Sequence, residues 1–317
     1  RTLQQDHLEM GPQIKRFEHA FAQYIGTDYA VAVANCTAAL YLSVQLLELG
    51  PEDEVIVTPQ TFFATVRGLQ AAGVRLVFAD IEPNSMNIDP ATIEPRTRAI
   101  YLVHLGGLMA DMDPIMDIAD RHGLTVIEDC AHATGSQYKG RKAGSIGDIG
   151  CFSFHSLKNM STLGEGGMMT LKRQDWAEAA KKLSSISSVY HPTPRTQESF
   201  GPYHKPNFEY HDHSINAYTV DAQGRIQFGN NYRLSETAAA VGCVQLNKVE
   251  SLNQKRRVLA QRLNAGLSHI EGIKIQQTPE DCVHSHHLYV FFYQPMVPGT
   301  NEEKEELIRI ITQEHRI

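Results

Sequence analysis

Short β-rich runs alternate with helical stretches up to about residue 172, and this alternation constrains the fold most. The β-rich runs are residues 30–34, 54–57, 75–79, 99–104, 124–128 and 150–154. Helical segments lie between them, among them residues 38–49, 63–72 and 113–122. Strands that alternate with helices form crossover units, which build a mostly parallel sheet with helices on both faces. We therefore predict an α/β fold with a ligand site at the carboxyl ends of the strands.

The second half of the chain predicts a smaller domain. Residues 184–228 are polar and rich in Pro, His and Tyr, so we expect a loop, or a loop with a hairpin, of functional importance. A helical pattern at 235–270, a strand at 288–293 and a helix at 302–315 are typical of an α+β domain, which we expect to be incomplete at Ile317. The predicted division is a large domain at 1–244 and a partial C-terminal domain at 245–317.

Composition narrows the class of protein. The 317 residues, 42% of them apolar, suit two domains at roughly 150 residues each. No apolar run reaches the length of about 18 residues that a membrane-spanning helix needs. The net charge of −7 without a basic tract argues against nucleic acid as the main partner. The five cysteines form no CxxC pair and no leader pattern follows Arg1, so we expect a reduced, cytoplasmic protein.

The densest polar cluster surrounds Lys158, between Ser153 and Gly167. A lysine just beyond a strand, beside hydroxyls and a glycine-rich turn, can act as a Schiff-base nucleophile, although most lysines are simply solvated. Asp129 ends the run at 124–128, where an acidic residue can keep a pyridinium nitrogen protonated. A helix cap is the other interpretation of Asp129.

Two weaker elements precede these residues. Cys36 and Thr37 stand between a strand and a helix, where backbone amides and the Thr37 hydroxyl can bind phosphate. Thr37 can equally be an ordinary helix cap. Phe62 follows the run at 54–57 and can stack on a planar cofactor or belong to the core. In chain order, the four elements are a phosphate site, a ring stacker, a pyridinium partner and a lysine.

With further motifs, this order closely resembles the DegT/DnrJ/EryC1/StrS family of pyridoxal-phosphate-dependent sugar aminotransferases, which have the aspartate aminotransferase fold. The matching motifs are Gly-Pro at 11–12, Phe-Glu at 17–18, Asp-Glu-Val-Ile-Val at 53–57, Arg-Thr-Arg-Ala-Ile at 96–100, Val-Ile-Glu-Asp at 126–129, Gly-Asp-Ile-Gly at 147–150, Gly-Glu-Gly-Gly at 164–167 and Gly-Asn-Asn-Tyr-Arg-Leu-Ser-Glu at 229–236. The resemblance therefore extends through nearly the whole chain.

The resemblance implies roles for individual residues. Lys158 would be the Schiff-base lysine and Asp129 the pyridinium partner, the two catalytic residues. The remaining cofactor contacts would be His132 near the 3-hydroxyl (many members have Gln here), Phe62 on the ring, and the Cys36 backbone, Thr37 and Ser153 at the phosphate. Asn231 would reach the phosphate of a neighbouring subunit, which implies a homodimer. Most members have Ser-Gly-Thr at 35–37, so Cys36 implies a slightly different phosphate loop.

The expected reaction moves an amino group from glutamate or glutamine to a keto-sugar, nucleotide-linked in the favoured interpretation. The alternatives are a cyclitol ketone, an aminoshikimate-type (aminohydroxybenzoate) precursor, or a non-catalytic sensor on the same fold. Intact Lys158, Asp129 and Thr37 disfavour a sensor. A sugar dehydratase is also disfavoured, because the resemblance implies His in place of Lys158 in such enzymes.

We assign no metal site to the remaining histidines. His284, His286 and His287 have spacing that suggests a metal site, but alternation along a strand would turn them to different faces, so we expect no metal. The histidines of the 184–228 stretch can line a substrate pocket or be solvated, and they are His191, His204, His211 and His213.

Overall fold

The computed structural model of the protein describes residues 11–94, 97–185, 218–220, 224, 226–294 and 305. The helices in these ranges are α1 (Pro12–Ile25), α2 (Cys36–Leu46), α3 (Ala64–Ala71), α4 (Met112–His122), α5 (Gln174–Leu183), α6 (Glu236–Leu246) and α7 (Val249–Leu267). The strands are β1 (Tyr29–Val33), β2 (Glu54–Val57), β3 (Arg75–Phe78), β4 (Ala99–Val103), β5 (Thr125–Asp129), β6 (Gln137–Tyr138), β7 (Arg141–Lys142), β8 (Ile149–Ser153), β9 (Gly167–Leu171), β10 (Tyr218–Val220), β11 (Ile226–Phe228), β12 (Ile273–Ile275), β13 (Cys282–Val283) and β14 (Phe291–Tyr293).

A seven-stranded sheet with the order β1-β9-β8-β5-β4-β2-β3 forms the centre of the molecule. Strands β3, β2, β4, β5 and β8 pair in parallel, whereas β9 runs antiparallel to both of its neighbours, β8 and β1. The predicted α/β fold with a mostly parallel sheet is confirmed. Because β1 runs in the direction of β8, the carboxyl ends of β1, β2, β4, β5 and β8 meet at one edge of the sheet.

Two buried apolar clusters cover the two faces of this sheet. On one face, α1 buries Phe17 and Phe21, and the Phe21 ring meets Phe152 of β8 edge-on with centroids 4.9 Å apart. Pro12 begins α1, and Gly26 ends it in the left-handed conformation that glycine adopts without strain. On the other face, α2 is apolar almost all round and lies buried. Helices therefore pack on both faces, as predicted.

The boundaries show where sequence patterns are ambiguous. The helical pattern at 235–270 is two helices, α6 and α7, and the strand expected at 288–293 shortens to β14. Strand β9 was not predicted, because it begins at the end of a glycine-rich turn. The hairpin β10–β11 lies in the 184–228 stretch, in agreement with a loop and hairpin. The helix expected at 302–315 falls outside the described residues except for one position, and the division at residue 244 stays a prediction.

None of the helices within the described ranges is long and apolar enough to cross a membrane.

Candidate active site

Asp129 lies at the carboxyl end of β5 and is 5% exposed. Its Oδ2 accepts a hydrogen bond of 2.7 Å from the Thr65 hydroxyl, and its Oδ1 accepts one of 3.0 Å from the Ala131 N–H. The Cys36 thiol donates weakly to Oδ1 over 3.8 Å. Burial raises the pKa of Asp129, while Thr65, Ala131 and the nearby Lys158 ammonium act in the opposite direction. A buried carboxylate of this kind gains from a cationic partner.

Lys158 lies in the loop after β8 and is half-buried. Its backbone N–H donates to the His155 carbonyl at 2.9 Å, and the loop is closed by bonds such as Phe154 N–H to the Gly166 carbonyl at 2.7 Å. Burial lowers the pKa of Lys158, against the opposing influence of Asp129 and Cys36. A lower pKa increases the fraction of free amine, which is the nucleophilic form.

The predicted phosphate site falls at the amino end of α2. The Asn35 side chain caps the helix by accepting from Ala38 N–H at 2.9 Å. The first amides of a helix, here those of Cys36 and Thr37, have no partner inside the helix and can bind an anion. Glycine is required opposite them, since a Cβ on Gly167 would lie 2.8 Å from the Cys36 nitrogen.

Ser153 ends β8 at the same edge of the sheet. It is buried, and its Oγ accepts a hydrogen bond of 3.4 Å from His155 N–H. The residues at the end of β8 and the start of α2 therefore offer hydroxyls and amides at this edge, which is the donor set that a phosphate ester needs.

His132 follows Asp129 in the loop after β5. Its Nδ1 accepts a hydrogen bond of 3.3 Å from the Gly106 N–H. Its ring stacks on that of His287, with centroids 4.4 Å apart and planes inclined by 27°. Burial and then the charge of Lys158 lower the pKa of His132 to about 4, so the ring is neutral at pH 7.

Two predicted contacts lie at the surface. Phe62 is 64% exposed, and its ring lies 4.4 Å from that of Phe63, beside the first turn of α3. Asn231 is exposed and precedes Tyr232, whose carbonyl accepts a hydrogen bond of 2.7 Å from Ala34 N–H near the end of β1. The structure does not bring these two side chains into contact with Lys158 or Asp129, and their roles stay predictions.

The sequence interpretation missed two residues of this site, Thr65 and His287. The strand expected at 288–293 begins only at Phe291, and residues 284–287 form a loop, so the argument from alternating faces was wrong. In this loop His284 stacks on His286, whereas His287 stacks on His132. The loop histidines His191, His204, His211 and His213 lie outside the described residues.

A buried hydrogen-bonded pair, His104 and Glu128, supports the end of β5. The Ala110 N–H donates to Nδ1 of His104, so the His104 proton is on Nε2, which donates to Glu128 at 2.8 Å. Glu128 also accepts from the N–H groups of Gly144, Ile146 and Gly147. Cys130 lies close by, and the three side chains have the spacing of a metal site. Both ring nitrogens of His104 are already used, so this group is a structural pair beside Asp129.

The comparison with protein families decides the membership of the chain. The family model of the DegT/DnrJ/EryC1/StrS aminotransferase family matches residues 1–317. The chain belongs to this family. The predicted family and the predicted class of enzyme, a pyridoxal-phosphate-dependent aminotransferase, are confirmed.

The relatives agree with this membership. The chain is 35% identical over its whole length to the spore coat polysaccharide biosynthesis protein SpsC of Bacillus subtilis, of which it covers 77%. It is 38% identical over 79% of its length to the GDP-perosamine synthase of Caulobacter vibrioides, of which it covers 61%. The crystal structure of S. venezuelae DesV superposes on 96% of the chain, and on 74% of its own, with a TM-score of 0.78 and 32% identity.

Membership implies pyridoxal phosphate as the cofactor, and the residues present fit it. The buried Asp129 carboxylate suits a protonated ring nitrogen, and the amine of Lys158 lies near it. The amide cradle at Cys36 and Thr37 is kept open by Gly167 and suits a phosphate group. These features belong to the chain's own described residues.

Proposed function

We propose that this aminotransferase moves an amino group from glutamate or glutamine to a keto-sugar that is linked to a nucleotide. The observation that supports it most is the meeting of half-buried Lys158 and buried Asp129 at one edge of the sheet. The names of two relatives, a GDP-perosamine synthase and a protein of spore coat polysaccharide biosynthesis, support a sugar as the acceptor.

The chain's residues divide the work of holding the cofactor. When bound, pyridoxal phosphate supplies an electrophilic carbon and a ring that accepts electrons. Asp129 would accept a hydrogen bond from the ring nitrogen and keep it protonated, while Nε2–H of His132 would donate to the ring oxygen. Phe62 would cover a face of the ring. The phosphate would be bound by the amides of Cys36 and Thr37 and by the hydroxyls of Thr37 and Ser153.

Lys158 is the proposed acid and base. Its lowered pKa leaves a larger fraction as free amine, which can take a proton from the substrate carbon that bears the nitrogen and deliver it to the carbon on the other side of that nitrogen. The electrostatic contribution of Asp129 should be several kcal/mol, on the order of what other oriented charges supply in buried sites.

A homodimer with shared active sites is part of the proposal. Two pairs of large apolar side chains are more than 60% exposed. Phe62 and Phe63 lie just before α3, and Leu157 and Leu163 lie in the loop that contains Lys158. The Phe62 and Phe63 rings, with centroids 4.4 Å apart, form an exposed apolar pair that suits contact with a second subunit. Asn231 of each subunit would reach the phosphate of the other.

The five cysteines are free thiols, which supports a reducing compartment such as the cytoplasm.

Amine transfer from two donors tests the proposal. Purified protein with pyridoxal phosphate is given L-glutamate or GDP-perosamine, and loss of the cofactor's visible absorbance is followed. We expect both amines to bleach the wild type, Lys158→Ala to be inert, and the exposed-site control Lys255→Ala to react normally. Bleaching by an aminocyclitol but not by GDP-perosamine would favour the cyclitol alternative. A protein that stays colourless would overturn the assignment and favour a sensor.

A further inference from the structure

A chain of hydrogen bonds determines which nitrogen of His287 carries the proton. The Asn253 amide nitrogen donates to the Thr134 carbonyl at 2.8 Å, so its Oδ1 accepts from the Asn159 amide nitrogen at 2.9 Å. That nitrogen also donates to the Ser285 carbonyl at 3.0 Å. Because carbonyl oxygens only accept, both amides have a single orientation. Asn159 Oδ1 therefore accepts from Nδ1–H of His287 at 3.0 Å.

His132, stacked on His287, has the opposite arrangement. The Gly106 N–H donates to its Nδ1, so in the neutral ring the proton is on Nε2. Burial lowers the pKa of both rings, that of His132 to about 4 and that of His287 to about 3, and nearby charges including Lys158 add to the effect. At pH 7 both stacked rings are neutral. The Nε2–H of His132 can donate a hydrogen bond, and the unprotonated Nε2 of His287 can accept one.

Neither Nε2 has a hydrogen-bond partner in the part of the chain that the structure describes. Neither atom is among the buried polar atoms that lack a partner, in contrast to Nε2 of His284 and Nδ1 of His286. The two atoms are therefore accessible, on rings close enough to Lys158 for its charge to lower the pKa of both. The His132 donor suits the ring oxygen of the cofactor, which leaves the His287 lone pair for another group.

We propose that His287 binds substrate, its Nε2 accepting a hydrogen bond from an N–H or O–H group, and that Asn159 is a positioning residue which sets its tautomer. The substrate part of this inference rests on the proposed function. A carboxylate or phosphate would meet a lone pair and be disfavoured there, so the bound group is an ammonium of the amino donor or a hydroxyl of the sugar.

The first test measures the tautomers in the protein alone. With ¹⁵N-labelled histidine rings, long-range ¹H–¹⁵N NMR distinguishes a protonated Nδ1 from a protonated Nε2. The His287→Phe and His132→Gln variants assign the two rings, and the exposed His122 serves as a reference. We expect His287 to carry its proton on Nδ1 and His132 on Nε2, and Asn159→Ala to mix the tautomers of His287 only. A proton on Nε2 of His287 would overturn the proposal.

The second test determines whether the group that donates to Nε2 of His287 is the ammonium of the amino donor or a hydroxyl of the sugar. His287→Phe keeps a ring against His132 but removes the acceptor, and His122→Phe is the matched control on the exposed end of α4. We expect His287→Phe to lower kcat/KM about tenfold, the value of one lost hydrogen bond. A loss with L-glutamate alone identifies the ammonium, and a loss with GDP-perosamine alone identifies a sugar hydroxyl. A loss with both identifies the transferred nitrogen that they share.

Two outcomes contradict the inference. Rates within about twofold of wild type for both amines would show that the lone pair binds nothing, since even one neutral hydrogen bond is worth more. A loss of rate that is matched by loss of bound cofactor would show a merely structural role. If wild type reacts with neither amine, the proposed function fails, whereas the NMR result still tests the tautomer of His287.

Discussion

The Thr65 hydroxyl, at the start of α3, donates a 2.7 Å hydrogen bond to Oδ2 of Asp129, at the end of β5. Thr61 Oγ1 lies 2.6 Å from Thr65 Oγ1. Because the single proton of Thr65 goes to Asp129, Thr61 is the donor in this second bond. The two hydroxyls link half-buried Thr61 to buried Asp129 and hold the carboxylate in one orientation.

Removing the Thr65 hydroxyl should weaken catalysis without unfolding the protein. Thr65→Val keeps the shape of the side chain but takes away a donor, so the pKa of Asp129 should rise further and the carboxylate should be held less firmly. We expect kcat to fall about tenfold or more, since a hydrogen bond to a charged group is worth about 1.5–3 kcal/mol. Stopped-flow rates of the glutamate half-reaction measure the effect.

Thr65→Ser is the matched control for this change. It retains the hydroxyl, and its rate should stay within about threefold of wild type, well under the value of the bond. Equal rates for the Val and Ser variants would mean that the contact between Thr65 and Asp129 has no part in catalysis.

Glu128 should make the free energy of unfolding depend on pH. Burial alone would raise its pKa, but the hydrogen bond from His104 and those from Gly144 and Gly147 outweigh burial, and the pKa is lowered. A carboxylate with a lowered pKa in the folded state stabilises the fold at pH values above its unfolded-state pKa. This stabilisation is lost as the pH falls from the unfolded-state pKa through the folded-state pKa. Glu128→Gln should therefore cost about 1–3 kcal/mol at neutral pH and less in acid.

Urea unfolding near neutral pH and at about pH 4, close to the ordinary pKa of a glutamate, measures this dependence. The exposed-site control Glu52→Gln should leave the free energy of unfolding unchanged at both values. A Glu128→Gln penalty that grows as the pH falls would contradict the lowered pKa.

Six of the seven strands of the central sheet, all but β9, were predictable because strands of such sheets are short, mostly apolar runs between turn residues. The run at 54–57 is observed as β2 without a change of boundary. Asp129 and Lys158 were predictable because each follows such a run. The contact of Thr65 with Asp129 was not, because it joins residues 64 positions apart in the chain, and local sequence patterns contain no information about such a contact.

His287 escaped prediction for a similar reason. Its loop is held on the turn after β4 by Ser285 N–H to the Gly107 carbonyl at 3.3 Å and Leu288 N–H to the Gly106 carbonyl at 3.1 Å. These are bonds between segments far apart in the chain, and local periodicity contains no information about them. The apolar residues from 288 onward suggested a strand, although regular pairing begins only at Phe291.

Mixing two impaired variants, Asn231→Ala and Lys158→Ala, should restore activity if the active sites are shared. Asn231→Ala should weaken retention of the cofactor, since it removes the amide that we propose donates to the phosphate. In a heterodimer with Lys158→Ala, one site carries both defects and the other carries neither, so up to about a quarter of wild-type activity should return from random pairing. Initial rates before and after unfolding and refolding the mixture measure this recovery.

The control is a mixture of Asn231→Ala with a variant that carries both Lys158→Ala and Asn231→Ala. No pairing in this mixture contains an intact site. A monomer at all concentrations by sedimentation, or no recovery in the first mixture, would contradict the shared site.

Covalent trapping of Lys158 tests the central assignment most directly. The protein is loaded with pyridoxal phosphate, reduced with borohydride and digested, and the modified peptide is identified by mass spectrometry. We expect one phosphopyridoxyl group per chain, on Lys158, and none after pretreatment with L-glutamate or in Lys158→Ala. Modification of another lysine such as Lys255 to the same extent, or an unmodified Lys158, would contradict it.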